Sequence, residues 1–342
     1  MAIGTTFLKN AWAMAAWSEE IGDVPLRRRL LGEPVVLFRK VDGTVAALVD
    51  RCPHRQAPLS MGTREGDRLV CPYHGLTFDS SGACVRNPFG ETIPGGATVR
   101  SFPIVERDGI VWLWPGDPDC PSPDLIPDFS DLDHGVFGAP LTGYLPMRAP
   151  YEMGTDNLMD LSHIEFVHKG SFAGRGVIFA GKHSLRQEGN RLHSNWWMPD
   201  VPAPGHTMGI YDPAMRCDHW LDMRWDPPSI MHLTIGACPA GGDRAGGVIV
   251  RQAHILTPET ATTTHYFWAS SRTMPQSAEG DAFVRGLLEQ AFADEDKPLI
   301  EATAANMDGA DFWDFKPVFL GIDAGGTTAR RLLQSLIAGE AT

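Results

Sequence analysis

Long apolar runs are absent from this chain of 342 residues, so nothing in it predicts a helix that spans a bilayer. The N-terminal "MAIGTTFLKNAWAMAAWSEEIG" holds one Lys, two Trp and an acidic pair, which is not the basic-then-apolar order of a secretory leader. Basic residues are in deficit. With 29 Lys and Arg against 42 Asp and Glu, the net charge of −13 repels nucleic acid and anionic lipid, which excludes polyanion binding as the function. Cysteines number only six, and four of them (Cys84, Cys120, Cys217 and Cys238) are scattered without a regular spacing. That pattern points to a reducing compartment, the cytoplasm, rather than to a disulfide scaffold. No G-x-G-x-x-G opens a helix after a strand, so the chain offers no dinucleotide fingerprint. Internal repeats and low-complexity tracts are missing as well.

What is present is enough to bury two cores: 43% hydrophobic residues, with 10 Trp and 16 Phe. The first hundred or so residues read as short strands between turns. "EPVVLFRKVDGTVAALVD" gives two β-rich runs around Asp42-Gly43, and "GIVWLWPGD" alternates Val111 and Leu113 with Trp112 and Trp114. Residues 115 to 140 are crowded with Pro, Gly and Asp and read as a connector, so the expected domains are 1–122, all-β, and 123–342. The second opens with a helix over 150–168, continues through strand-like "RLHSNWWM", "IMHLTIGA", "GVIVRQAHIL" and "TTTHYFWASSR", and closes with two helical runs. The class is α+β, a curved antiparallel sheet with helices packed on it.

Chemistry concentrates in "CPHRQAPLSMGTREGDRLVCPYHG". Cys52 and His54 stand two apart, and Cys71 and His74 three apart, across a gap of sixteen residues. A zinc finger groups its cysteines and then its histidines, whereas here each loop supplies one of each. The alternation suits a Rieske-type [2Fe-2S] cluster, with two thiolates on one iron and two imidazoles on the other. Pro53 and Pro72 stiffen the loops, while Gly62, Gly75 and Tyr73 are placed to bring donors near sulfur.

A second constellation lies in "DNLMDLSHIEFVH". At about 100° per residue, His163 and His168 sit about 140° apart, so a straight helix cannot aim both at one ion and must distort or end between them. Two imidazoles and a carboxylate with open positions make the facial triad of iron(II) oxygenases. The late run "LLEQAFADEDKPLIEA" offers Glu289, Asp294, Glu295, Asp296 and Glu301 as the carboxylate, and composition does not choose among them. Asn157 reads as a neighbouring hydrogen bonder, and His254 of "AHILTPET" as a polar contact to an anionic substrate.

With "CPHR" and "CPYHG" followed by "NLMDLSHIEFVH", the chain resembles the Rieske non-haem iron oxygenases, in particular the vanillate and dicamba O-demethylase group. The resemblance runs from "FLKNAWAMAAWSEEIG" through "HILTPET" to the final helix. It implies a Rieske domain followed by a helix-grip catalytic domain, and it points to the Asp of "EDK", Asp296, as the third iron ligand. It further implies that Asp160 bridges the two metal sites between subunits of a head-to-tail homotrimer. Electrons from NADH would arrive through a separate reductase carrying flavin and a ferredoxin-type centre. The implied reaction is monooxygenation of a small aromatic acid with O2, such as O-demethylation of vanillate with formaldehyde release. Ring dihydroxylation or methyl hydroxylation would use the same machinery, and a plain electron carrier or a ligand-binding module would leave the second site without a purpose.

Overall fold

The computed structural model describes residues 7–132, 137–169, 171, 176–273 and 275–340. The chain divides into two compact units, the first ending at Ile126 and also taking in Thr257–Ala261 and the C-terminal end from Gly339. Among the described residues no helix is long and apolar enough to cross a membrane.

The first unit is all-β. Its three small sheets hold Ala13–Trp17, Ile110–Leu113 and Ile104–Arg107; then Leu26–Leu30, Glu33–Arg39, Val45–Val49 and Ser101–Phe102; then Thr63–Glu65, Arg68–Val70, Thr77–Asp79 and Cys84–Arg86. The hairpin expected at Asp42-Gly43 joins Glu33–Arg39 to Val45–Val49, with Gly43 at φ +86° supplying the left-handed turn residue. Ile110–Leu113 lies between two partner strands and is buried on both faces, so its Trp/aliphatic alternation does not separate an inside from an outside.

The two Cys/His loops fold alike. In one, Gln56 N–H donates to Cys52 O and Cys52 N–H to Ala57 O, both at 2.8 Å; in the other, Gly75 N–H donates to Cys71 O at 3.0 Å and Cys71 N–H to Leu76 O at 2.8 Å. The left-handed position four residues after each Cys is filled by Gln56 (φ 59°) in one loop and by Gly75 (φ 71°) in the other.

The second unit is built on a seven-stranded sheet. Its order is Leu141–Met147, Thr264–Ser270, Val248–Pro258, Ile230–Pro239, Arg216–Asp226, Arg191–Pro202, Lys182–Glu188. Antiparallel pairing runs from Lys182–Glu188 across to Val248–Pro258, and Thr264–Ser270 pairs antiparallel with Leu141–Met147. The helix expected over 150–168 is shorter. It spans Tyr151–Met159 and breaks at Asp160 (φ −109°, ψ 83°), whose carboxylate accepts from Ser162 N–H to start a new 3-10 turn, Leu161–His163, continued by Ile164–Val167. The helical turn then ends between the two histidines, as the spacing requires, with His168 (φ −90°, ψ 35°) outside it; the earlier break at Asp160 is additional. The late helical run is divided too: Ala278–Glu289 and Lys297–Met307 are α-helical, and Gln290–Asp296 between them is a π-helical turn. Such widened turns concentrate at functional sites, because they re-aim side chains that a regular helix would point elsewhere.

The C-terminal helix, Ala324–Glu340, lies close against Tyr151–Met159. A Cβ on Gly325 would stand 2.9 Å from Met159 O, and one on Gly326 3.1 Å from Asp156 Oδ1, so glycine permits the approach. Arg330 then grips Asp156 with contacts of 2.6 to 2.8 Å. Sequence reading found Asp156 on the metal helix but not this partner, 174 residues away.

Candidate metal centres

In the first unit, Cys52 and Cys71 are 1% and 2% exposed, while His54 is exposed and His74 half-buried. The two imidazole centroids are 4.6 Å apart, and His74 Nδ1 is buried without a hydrogen-bond partner. Burial pushes the Cys52 thiol up to about 11; the backbone amides of His54 and Arg55 oppose this, and the adjacent Cys71 adds to it. Two buried sulfurs, Cys52 with the His54 and Arg55 amides beside it, together with a buried imidazole nitrogen that has no partner, are a donor set that a metal cluster completes. The residues fit the group. Tyr73 differs from expectation: its ring stacks on His74 at 4.3 Å and is 61% exposed, so it shields the imidazole instead of standing inside as a donor to sulfur.

In the second unit, His163, His168 and Asp296 come together, with their ligand atoms all within 4.8 Å of one another. His163 Nε2 lies 3.4 Å from Asp296 Oδ1, and His168 Nε2 3.3 Å from Asp296 Oδ2. Each imidazole is held from behind: His163 Nδ1 by the main-chain carbonyl of Asp160, and His168 Nδ1 by Glu295 Oε2 at 2.9 Å. An acceptor at Nδ1 fixes each ring with its Nε2 toward Asp296, the orientation metal-binding histidines adopt. Burial disfavours the charge on Asp296, yet hydrogen bonds from His163 and His168 outweigh it and hold the carboxyl well below the usual range. In the ion-free protein His168 is raised, because Asp296 and Glu295 overcome the cost of burial.

Of the five late carboxylates, Asp296 alone is buried, at 3% exposed; Asp294 and Glu289 face solvent, and Glu301 binds Arg148. Glu295, read from sequence as part of a solvated run, also accepts from Ser171 at 2.6 Å. No local signal separated it from its neighbours; only the fold brings it to His168. Asn157 donates to Asp296 Oδ1 at 3.1 Å. Asp160 meets His163 through its main-chain carbonyl, while its carboxylate Oδ1 accepts from Ser162 N–H at 3.0 Å and Ser162 Oγ at 2.5 Å. His254 is 1% exposed, with Nδ1 2.7 Å from Tyr266 Oη and Nε2 3.2 Å from Gln252 Oε1. Burial lowers it to about 3, so it is neutral and both its nitrogens are engaged, a poor counter-ion for an anionic substrate.

The chain matches two family models, the Rieske [2Fe-2S] domain over residues 11–103 and the vanillate O-demethylase oxygenase C-terminal domain over residues 147–339. It belongs to the Rieske non-haem iron oxygenases. It is 37% identical to the oxygenase component of chloroacetanilide N-alkylformylase from Rhizorhabdus wittichii, over 98% of this chain and 97% of that one. It is also 37% identical to the dicamba O-demethylase oxygenase component of Stenotrophomonas maltophilia, over 97% and 98%. A crystal structure of dicamba monooxygenase with non-haem iron and dicamba superposes with a TM-score of 0.84 at 36% identity, covering 98% of this chain and 99% of that one. This Rieske oxygenase is therefore the terminal component of a monooxygenase system that uses a [2Fe-2S] cluster and a mononuclear iron, with electrons supplied by a separate reductase.

Proposed function

We propose that this Rieske oxygenase removes an alkyl group from oxygen or nitrogen of an aromatic substrate, with demethylation of a methoxyarene as the reaction to test first. Support comes from relatives named for O-demethylation and for N-dealkylation of anilides, and from the converging His163, His168 and Asp296. Cys52, His54, Cys71 and His74 would hold the cluster, and His163, His168 and Asp296 the iron. When bound, the cluster passes electrons singly and the iron activates dioxygen beside the substrate.

The remaining work falls to this chain's side chains. Glu295 and the Asp160 carbonyl keep the two imidazoles oriented with Nε2 toward Asp296, and Asn157 restrains one carboxylate oxygen of Asp296. Burial of His168 and Asp296 excludes bulk water from the reacting region. Once a hydroxyl stands on the carbon next to oxygen, the hemiacetal collapses to a phenol and formaldehyde without further help.

Asp160 is assigned the link between metals. In a head-to-tail trimer, a closed ring of identical subunits, His74 of a neighbouring subunit would meet the Asp160 carboxylate, and the Asp160 carbonyl continues the path to His163. The cytoplasm, where NADH is made available to a reductase, is the matching compartment. The deciding experiment supplies the purified protein with NADH, a surrogate reductase and a panel of methoxyarenes and N-alkyl anilides, scoring aldehyde released per oxygen consumed. Hydroxylated products that keep their alkyl groups would replace this reading with ring or methyl hydroxylation.

A further inference from the structure

Among the described residues of the first unit, Asp50 is the only buried carboxylate, with its side chain 0% exposed. Burying such a charge is costly unless donors meet it. Here Ser60 N–H donates to Oδ1 and Ser60 Oγ to Oδ2, each at 2.7 Å, and Arg27 Nε stands 3.3 Å from Oδ2. Every partner is a donor, which suits a carboxylate that carries its charge.

Its position gives that charge a target. Asp50 follows the strand Val45–Val49 and precedes Cys52 by two residues, so the two Cα atoms are no more than about 7 Å apart. Ser60 belongs to the 3-10 turn Leu59–Met61, which follows the first Cys/His loop, so the Asp50–Ser60 contact closes that loop at its base. Gly62, at the end of the turn, runs against the strand that leads to Cys71: a Cβ there would stand 2.0 Å from Val70 O. Leu59, Cys52 and Cys71 share one apolar core. The nearby cations are placed differently. Arg51 and Arg55 are exposed, Arg51 is paired with Glu33 at 3.3 Å, and the Arg27 side chain is 56% exposed. Water screens all three, whereas the apolar core screens Asp50 poorly, so the carboxylate dominates the field at the two cysteines.

Resting on the assignment of the [2Fe-2S] cluster to Cys52, His54, Cys71 and His74, we infer that Asp50 is a positioning residue that also sets the cluster's reduction potential. Its hydrogen bonds to Ser60 hold the first loop, and its charge opposes the electron that the reductase delivers. A negative charge beside the cluster favours the oxidised state and lowers the potential, which makes the reduced cluster a stronger donor when it passes that electron on.

The test is a redox titration of the full-length holoprotein, with the cluster followed by visible absorbance and EPR. At a fixed poise, Asp50→Asn should raise the ratio of reduced to oxidised cluster about threefold or more, which is about 30 mV for a one-electron centre. Arg27→Gln removes the opposing charge and should lower the ratio about twofold. Ser60→Ala gives up one hydrogen bond but keeps the charge, so its Tm should fall while its ratio stays within about 1.5-fold of the unaltered protein. A role in folding alone would lower the Tm of Asp50→Asn and leave its potential in place, which overturns the inference. A Ser60→Ala shift as large as that of Asp50→Asn overturns it too, because loop geometry would then be the cause. If Asp50→Asn loads no cluster, Arg27→Gln decides: a lowered ratio supports the inference, and an unchanged or raised one ends it. Absence of any cluster signal in the unaltered protein would sink the cluster assignment itself, whereas a cluster indifferent to all three substitutions sinks only the part given to Asp50.

Discussion

At the cluster end, Cys52, His54, Cys71 and His74 sit on two loops that fold with matching hydrogen bonds and finish at an open surface where His54 and Tyr73 are exposed. At the iron end, His168 and Asp296 are each 3% exposed, and the residues that orient them come from distant parts of the chain. Each design suits its task. A centre that receives electrons from another protein must lie near a surface, and loops with local hydrogen bonds can hold it there. A centre that activates oxygen must exclude water, so its polar groups have to satisfy one another. Changes at the second site should consequently travel further than changes at the first.

The sharpest break in this comparison is a pair of ligand substitutions. Asp296→Asn should cut product formation by about 100-fold or more and lower iron content while leaving the visible spectrum of the cluster intact; His74→Ala should do the converse. Metal and sulfide analysis beside single-turnover assays reads both, and loss of both centres in either variant would show that the two sites are not independent. Glu295→Gln comes next. It keeps the shape but weakens the acceptor behind His168, so iron affinity in a metal titration should fall about 10- to 100-fold. An unchanged affinity would remove Glu295 from the account.

Arg330→Ala probes how far the iron site depends on the C-terminal helix. Breaking its largely buried pair with Asp156 should cost about 3 kcal/mol, seen as a lower Tm by calorimetry, with cluster absorbance retained. Arg330→Lys should recover only part, since a single ammonium does not reproduce the two-pronged contact. The smallest effect belongs to the exposed end. Tyr73→Leu, on a side chain 61% exposed, should change stability by no more than about 0.5 kcal/mol and leave the cluster in place. A colourless Tyr73→Leu protein would mean that its stacking on His74 protects the cluster.

Legibility follows the same division. The four cluster residues stand out in the sequence because both loops are local: the backbone hydrogen bonds that close them join residues four or five apart. His163 and His168 were equally visible, as was the end of the helix between them, but the earlier break at Asp160 was not, because a carboxylate capping Ser162 competes there with the helical pattern. Choosing Asp296 among five carboxylates took the family resemblance, and nothing in the composition of the run set Glu295 apart from its neighbours. The π-helical turn Gln290–Asp296 is what lets Glu295 and Asp296 both reach His168.

By itself the sequence determined the order of the two domains, the cluster motif and the pair of histidines, since each depends on residue type and short spacing. Tertiary structure alone decided which acceptor stands behind each imidazole, that Arg330 holds Asp156 across 174 residues, and that one face of a seven-stranded sheet carries every fixed charge in its central rows while the other carries none. The reason is physical. Spacing constrains neighbours within a few residues, whereas desolvation and hydrogen-bond satisfaction are settled only when strands and helices distant in the chain bury one another's surfaces.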